Sequence, residues 1–400
     1  MKYTYLKKKF PGQISLAVII LMANVIFIIN ACKKTENDKE VAPVADTTNN
    51  DKGLSVTTLA QNLDTPWQIS FAPDGRIFFT ERMGHVRVIE NGILKKQPWL
   101  DLRDTAVIEA GEAGLTGIAV DPQFATNHYI YLAYSYEASK EPLVILNKLV
   151  RYREDPQTKA PVYDKTLIDS IEGYINHNGG PVYFGPDDKI YWPHGERYIP
   201  DYAQDMTKLN GKILRLNRDG SVPADNPFPG SFIYTLGHRN VQGLAWQPGT
   251  NNLFNTEHGP SQTQGCCLDE INLIESGKNY GWPKIRGGEK MTGMETPLYM
   301  TGDTVTWAPA LATFIKGGPW DGNMIFAGLY DQTLHRVIFD KTDPRKIITV
   351  ENYFEKNLGR LRAVAQGPDG KIYISTSNGD GRGIAKTPND DRILILNIPQ

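Results

Sequence analysis

Hydrophobic positions along most of this chain come in short runs separated by turn-forming residues, with no long helical period after Leu54. One module recurs: a short apolar strand, a turn built on Pro-Asp-Gly or a near variant, then two β-rich runs. Its clearest copies are Phe71-Ala-Pro-Asp-Gly-Arg-Ile-Phe-Phe-Thr80, Phe184-Gly-Pro-Asp-Asp-Lys-Ile-Tyr-Trp192 and Gln366-Gly-Pro-Asp-Gly-Lys-Ile-Tyr-Ile-Ser375. Proline fixes φ at the first corner of such a turn, and glycine or aspartate tolerates the unusual dihedrals beside it, so each copy predicts a hairpin. Degenerate copies follow at Ile118-Ala-Val-Asp-Pro-Gln-Phe124 with Tyr129-Ile-Tyr-Leu132, and at Leu244-Ala-Trp-Gln-Pro-Gly-Thr250 with Leu253-Phe-Asn-Thr256. A sixth, Gly322-Asn-Met-Ile-Phe-Ala-Gly328 with Leu334-His-Arg-Val-Ile-Phe339, lacks the turn and keeps two strands.

Six modules over roughly 345 residues give a unit in the range of a large propeller blade with insertions. A single blade cannot bury both of its faces, whereas radial packing of six closes a core around a central channel. The expected fold is all-β, a six-bladed β-propeller. A β-sandwich is the competing architecture, and it has no need of one turn grammar shared by six hairpins.

The amino terminus obeys a different pattern. Lys2, Lys7, Lys8 and Lys9 precede an apolar stretch from Ile14 to Ile29, interrupted by Asn24, which ends at Asn30-Ala31-Cys32. This is the layout of a secretory signal peptide over residues 1–31. A small residue before a cysteine resembles a bacterial lipoprotein processing site, so Cys32 is expected to carry lipid and anchor an exported, cell-envelope protein; the alternative is an uncleaved membrane anchor. Residues 32–53 hold almost no large apolar side chain and read as a flexible tether, leaving 54–400 for the propeller.

Charge narrows the partners. With 43 Lys+Arg against 45 Asp+Glu and a net charge of −2, the chain lacks the basic surface that nucleic-acid binding requires. Cysteine is sparse: beyond Cys32 there is only the adjacent pair Cys266-Cys267, which two free thiols or a bond between neighbours would satisfy.

Candidate chemistry sits where loops would open onto the channel. His177, in Asn176-His177-Asn178-Gly179-Gly180, precedes the third module and can act as a base near neutral pH if a neighbour orients its ring. Glu196, in Trp192-Pro-His-Gly-Glu196, closes the hairpin of the same module and returns to the same rim. Arg239 and Asn240 precede another strand, where a permanent cation suits an oxyanion or a quinone oxygen. Thr256-Glu-His-Gly-Pro260 is an oxygen-rich loop whose backbone carbonyls suit Ca²⁺. Arg360 and Arg362 share a strand face by period two.

Taken in order, His177, Glu196, Gly-His-Arg239-Asn240-Val-Gln-Gly, Glu257-His-Gly-Pro260, Asp269-Glu-Ile-Asn272, Asn279-Tyr-Gly-Trp-Pro283 and Arg360-Leu-Arg362 resemble the glucose/sorbosone dehydrogenase family, from about Leu63 to Ile398. The resemblance implies a soluble-type quinoprotein on a six-bladed propeller that oxidises aldose sugars with pyrroloquinoline quinone and Ca²⁺ and passes electrons to an external acceptor. It implies that His177 takes the C1 hydroxyl proton while a hydride passes to the quinone, with Glu196 in place of the family's aspartate as partner. It implies that Arg239 polarises the quinone oxygen, that Asn240, Arg360, Arg362 and Thr376 bind the cofactor, and that the carbonyls of Gly259 and Pro260 hold calcium. Two positions depart from the family: Glu112 stands for a glutamine and Tyr330 for a lysine, and both exchanges reduce the positive charge facing a tricarboxylate. The family also contains non-enzymatic propellers, so a glycan- or protein-binding lipoprotein is the alternative function. A calcium-dependent lactone hydrolase would need a ring of carboxylate and asparagine ligands that this sequence does not display.

Overall fold

The turn grammar translates directly into blades. In the computed structural model, which describes residues 50–261, 266–382 and 387–399, each Pro-Asp-Gly segment turns one antiparallel strand into the next. The aspartate closes each turn: Asp74, Asp187 and Asp369 accept the backbone N–H of Arg76, Lys189 and Lys371 at 3.1–3.2 Å, the side-chain mimicry of a backbone turn that makes aspartate favourable there.

Six antiparallel sheets result. The first blade begins on Pro66–Phe71, the second on Leu115–Val120, the third on Tyr183–Phe184, the fourth on Val241–Trp246, the fifth on Pro309–Phe314 and the sixth on Leu361–Gln366. The sixth is completed from the other end of the chain: Ile393–Asn397 pairs with Leu54–Ala60, which pairs in turn with Asn50–Asp51. That pairing closes the ring by completing the sixth sheet with strands from both ends of the propeller. Helix is confined, among the described residues, to one turn at Phe124–Asn127 and a 3₁₀ turn at Pro200–Ala203. The fold is a six-bladed β-propeller, as the repeats indicate.

Two details differ from the sequence reading. Strand pairing starts at Asn50, four residues before the expected boundary, with Asp51 accepting the N–H of Phe354 at 2.5 Å. The sixth module, read as strands 322–328 and 334–339, comprises the second and third strands of the fifth blade; its inner strand is Pro309–Phe314. That strand lacks the signal because Ile315–Asn323 replaces the Pro-Asp-Gly turn. The signal peptide, Cys32 and the tether up to residue 49 lie outside the described residues.

The core lies between blades. Trp192, Leu214 and Ile233 of the third blade pack on Tyr131 and Leu149 of the second, and each of the other five interfaces has its own cluster. Burying a large side chain of this kind contributes roughly 1.5–3 kcal/mol, so the blades hold one another in place and the channel end is built on a rigid frame.

Candidate active site

In an antiparallel blade, the loop before the inner strand and the loop after the second strand lie at the same end. Glu112, His177, Arg239 and Arg360 lie just before inner strands; Arg82, Glu196, Gly259 and Asp380 lie after second strands. Topology alone therefore gathers them at one mouth of the channel. In five of the six blades the pairing slips where the inner strand begins, at Pro66/Ile69, Leu115/Gly117, Val241/Gly243, Pro309/Ala312 and Leu361/Val364. Such bulges re-aim side chains, and three residues inside them, Trp67, Gln242 and Arg362, line a cleft of about 490 Å³, including its solvent-open part. Arg360 and Arg362 thus meet through a bulge, since Arg360 precedes the strand and regular alternation does not hold between Leu361 and Val364.

The histidine–carboxylate pair is present. Both oxygens of Glu196 lie 2.8–2.9 Å from His177 Nδ1. Among the described residues, Nε2 has no hydrogen-bond partner, so it is the ring atom left for a substrate. His177 occupies the left-handed region at φ 56°, its N–H donates to Glu112 Oε2 at 2.9 Å, and its carbonyl accepts from Arg197 N at 3.2 Å. Gly195 is needed between these loops: a Cβ there would collide with the carbonyl of His177 and the side chain of Asn240. Glu196 N–H in turn donates to the carbonyl of Arg239 at 2.9 Å, joining the third and fourth blades. One face of the His177 ring is covered by Tyr198, stacked at 4.3 Å and 22°.

Electrostatics follow from burial. His177 is held well below the ordinary imidazole value by burial first and by the Arg239 cation second. Burial pushes Glu196 up to about 8 despite the opposing pull of Arg239. Both directions disfavour charge in a dry site, so burial favours the neutral imidazole and the neutral carboxyl. Losing one proton leaves a carboxylate facing Nδ1–H and a free Nε2 lone pair.

Arg239 is fixed from both ends. Glu257 accepts its backbone N–H at 2.5 Å and also accepts from His238 Nδ1 at 2.9 Å, so His238, stacked on Tyr280, is part of the scaffold. The guanidinium donates to the His258 carbonyl at 3.2 Å and to Ser261 Oγ at 3.1 Å. Arg239, Gly259 and Pro260 line a small pocket that shares His258 with the larger cleft. Asp269 holds this loop: its carboxylate accepts from His258 Nδ1, Gly259 N, Thr306 Oγ1, Trp307 N and Ala308 N at 2.6–2.9 Å. Cys266 and Cys267 are bonded to each other, and Gly259 packs against the carbonyls of Cys267 and Leu268.

The larger cleft is cationic. Arg360 Nε and Arg362 Nη2 share Asp380 Oδ2 at 2.9 and 3.2 Å, and Arg362 stacks on Trp67 at 3.6 Å. Arg82 donates to the Gly111 carbonyl at 2.7 Å. Burial lowers the Arg362 guanidinium to about 9, opposed by Asp380 and aided by Arg360 and Arg82. A buried positive excess of this kind is relieved by an anionic ligand, and the planar Trp67 and arginine surfaces suit a flat one.

The structure brings His177, Glu196, Glu112, Arg239, Asn240, Arg360 and Arg362 to this mouth, with Gly259 and Pro260 beside them. It places two other candidates apart. Thr376 is fully buried, with its hydroxyl between Asp391 Oδ1 and the N–H of Arg392, and Tyr330 is 66% exposed; neither lines the cleft. Sequence reasoning missed Asp269, Asp380, Arg82, Trp67 and Tyr198 as members of the site. Asp269 lies inside a recognisable motif, while the others stand out only once their blades are aligned.

The glucose/sorbosone dehydrogenase profile matches residues 63–386. The aldose sugar dehydrogenase YliI of Escherichia coli K12 is 30% identical over 84% of this chain and 94% of its own length. The pyrroloquinoline-quinone-bound aldose sugar dehydrogenase of Streptomyces coelicolor superposes with a TM-score of 0.75 at 34% identity, covering 89% of this chain and 99% of that one. A putative oxidoreductase of Thermus thermophilus, described as a glucose dehydrogenase, gives 0.77 at 38% identity over 86% and 100%. With a profile match across most of its length, the chain belongs to the glucose/sorbosone dehydrogenase family.

Proposed function

We propose that this protein oxidises the C1 hydroxyl of aldose sugars to the lactone, using pyrroloquinoline quinone and Ca²⁺ and an external electron acceptor. The observation that carries the reading is His177, pinned through Nδ1 by Glu196 and beside a cleft of arginines. When bound, the quinone supplies a two-electron acceptor for the hydride that leaves C1. The chain supplies the rest. His177 Nε2 accepts the hydroxyl proton, and Glu196 stabilises the imidazolium that forms. Arg360, Arg362 and Asn240 would hold the cofactor's carboxylates and carbonyls, and Arg239 would stabilise oxygen that gains negative charge. The carbonyls of Gly259 and Pro260 suit a hard cation, but two oxygens are fewer than the six to eight that Ca²⁺ takes. Among the described residues no cluster of three acidic, histidine or cysteine side chains is placed for a metal. The remaining ligands would therefore come from cofactor and water.

Reconstitution with pyrroloquinoline quinone and Ca²⁺, followed by dye reduction with a panel of aldoses, tests the activity. Because a free Nε2 requires loss of a proton from the His177–Glu196 pair, turnover is expected to rise with pH through about 8. In Glu196→Gln that rise should vanish and the rate should fall by roughly 10²-fold or more. A profile identical in the two proteins would remove Glu196 from the mechanism, and no sugar-dependent reduction at any pH would leave a binding propeller.

Export and lipid anchoring through Cys32 rest on the sequence pattern and belong to the same proposal. Cys32→Ser is expected to move the protein from the membrane fraction to the soluble one; retention in the membrane would indicate a spanning anchor.

A further inference from the structure

Among the charged groups at the cleft that the mechanism above does not use is Arg382. Arg382 follows Asp380 by two residues, lines the same cleft as Arg360 and Arg362, and is 44% exposed at its side chain. Its backbone N–H donates to Asp380 Oδ1 at 2.9 Å, which fixes where the side chain leaves the chain. Its guanidinium lies 3.0 Å from Glu112 Oε1 and also contacts Asn176 Oδ1. The other oxygen of Glu112 accepts the N–H of His177. One carboxylate therefore joins the sixth-blade arginine to the loop that carries the base.

The charges are unevenly spent. Asp380 is shared by Arg360 and Arg362 deep in the cleft, whereas Arg382 faces Glu112 at its partly solvated rim. A partly exposed ion pair of that kind is weakened, because water reaches the guanidinium and both side chains lose freedom in making it. A multivalent anion entering the cleft would compete with Glu112 for the guanidinium.

We propose that Arg382 is a cofactor-binding residue, engaging a carboxylate of pyrroloquinoline quinone, and that Glu112 is its competing counter-ion, which tunes the affinity. This rests on the function proposed above and adds to it a residue and a sign. The two partners must act in opposite directions. If the pair were only a latch holding loops together, removing either partner would loosen the site and both changes would weaken binding.

The experiment titrates the full-length protein, in mild detergent and free of sugar, with pyrroloquinoline quinone and Ca²⁺. Binding is read from quenching of tryptophan fluorescence, with Trp67 in the cleft wall. Arg382→Gln is expected to raise Kd about tenfold, the loss of one charge-assisted hydrogen bond. Glu112→Gln is expected to lower it several-fold, and by a smaller factor in the Arg382→Gln background, because part of the effect of Glu112 runs through Arg382. Weaker binding in both single variants, or unchanged Kd in Arg382→Gln, overturns the inference while leaving the cofactor assignment standing. Failure of the unaltered protein to bind the quinone overturns both. Thermal unfolding of the three variants should match that of the unaltered protein, since the pair is at the rim.

Discussion

Replacing His177 by asparagine is expected to lower sugar-dependent turnover by roughly 10²- to 10⁴-fold, the contribution of a positioned general base. Asparagine is the informative substitution because the residue sits at φ 56°, a region in which asparagine is at ease and alanine is strained. It keeps the backbone N–H that Glu112 accepts while removing the ring nitrogen that would take the hydroxyl proton. Burial already favours the neutral form of Glu196, so losing its partner does not strand a charge. The variant should therefore fold and retain pyrroloquinoline quinone with unchanged Kd. Loss of kcat with cofactor affinity intact is the expected signature. Full turnover in the variant would move the base elsewhere, and loss of cofactor would assign His177 to binding.

The second large effect concerns stability. Asp269→Ala is expected to destabilise the propeller by on the order of 3–5 kcal/mol, because a fully buried carboxylate with five donors is removed and the backbone N–H groups of Gly259 and Trp307 are left without an acceptor, while that of Ala308 keeps only Thr306 Oγ1. For a domain of this size that corresponds to a fall in Tm of roughly 5 °C. The same carboxylate connects Gly259, after the second strand of the fourth blade, to Thr306, Trp307 and Ala308, ahead of the fifth. Cofactor and calcium affinity should fall along with stability. The pH dependence has a definite sign. Burial alone would raise this carboxyl, but the neighbouring His258 and the donated hydrogen bonds hold it below the ordinary value of 3.8. Its contribution is then fully present above that value and fades as pH falls through the lower folded one. Asp269→Ala should accordingly flatten the acid limb of the stability curve. A Tm within about a degree of the unaltered protein's would show that the loop has other anchors of equal strength.

These two residues show how unevenly the site is written into the chain. His177 and Glu196 could be paired from sequence because they flank one hairpin and the strand direction returns them to one end. Asp269 belongs to a recognisable run, Asp269-Glu-Ile-Asn272, yet nothing in that run shows that its carboxylate reaches three residues almost forty positions later. Tyr198 offered no signal at all; only the turn after Glu196 lays it on the imidazole.

The local information was enough for the architecture. A turn that needs proline at one corner and aspartate or glycine beside it is specified within a few residues, so the hairpins, their repetition and hence a propeller of six blades could be read along the chain. Where the local signal changed, as in the fifth blade, the count survived but the strands were assigned one place out. What the tertiary structure decided is everything that depends on how neighbouring blades and displaced strands meet. The bulges that turn Trp67, Gln242 and Arg362 into the cleft break the two-residue period on which strand faces are predicted. The partners Arg382 and Glu112 are separated by most of the chain and are joined because the closed ring brings a loop of the sixth blade to the loop that enters the second. Thr376 and Tyr330 stand in register with a functional pattern, yet one is taken up by Asp391 and Arg392 and the other faces solvent. Sequence spacing specifies which backbone turns form; which side chains share a cavity depends on distances set only when the ring closes.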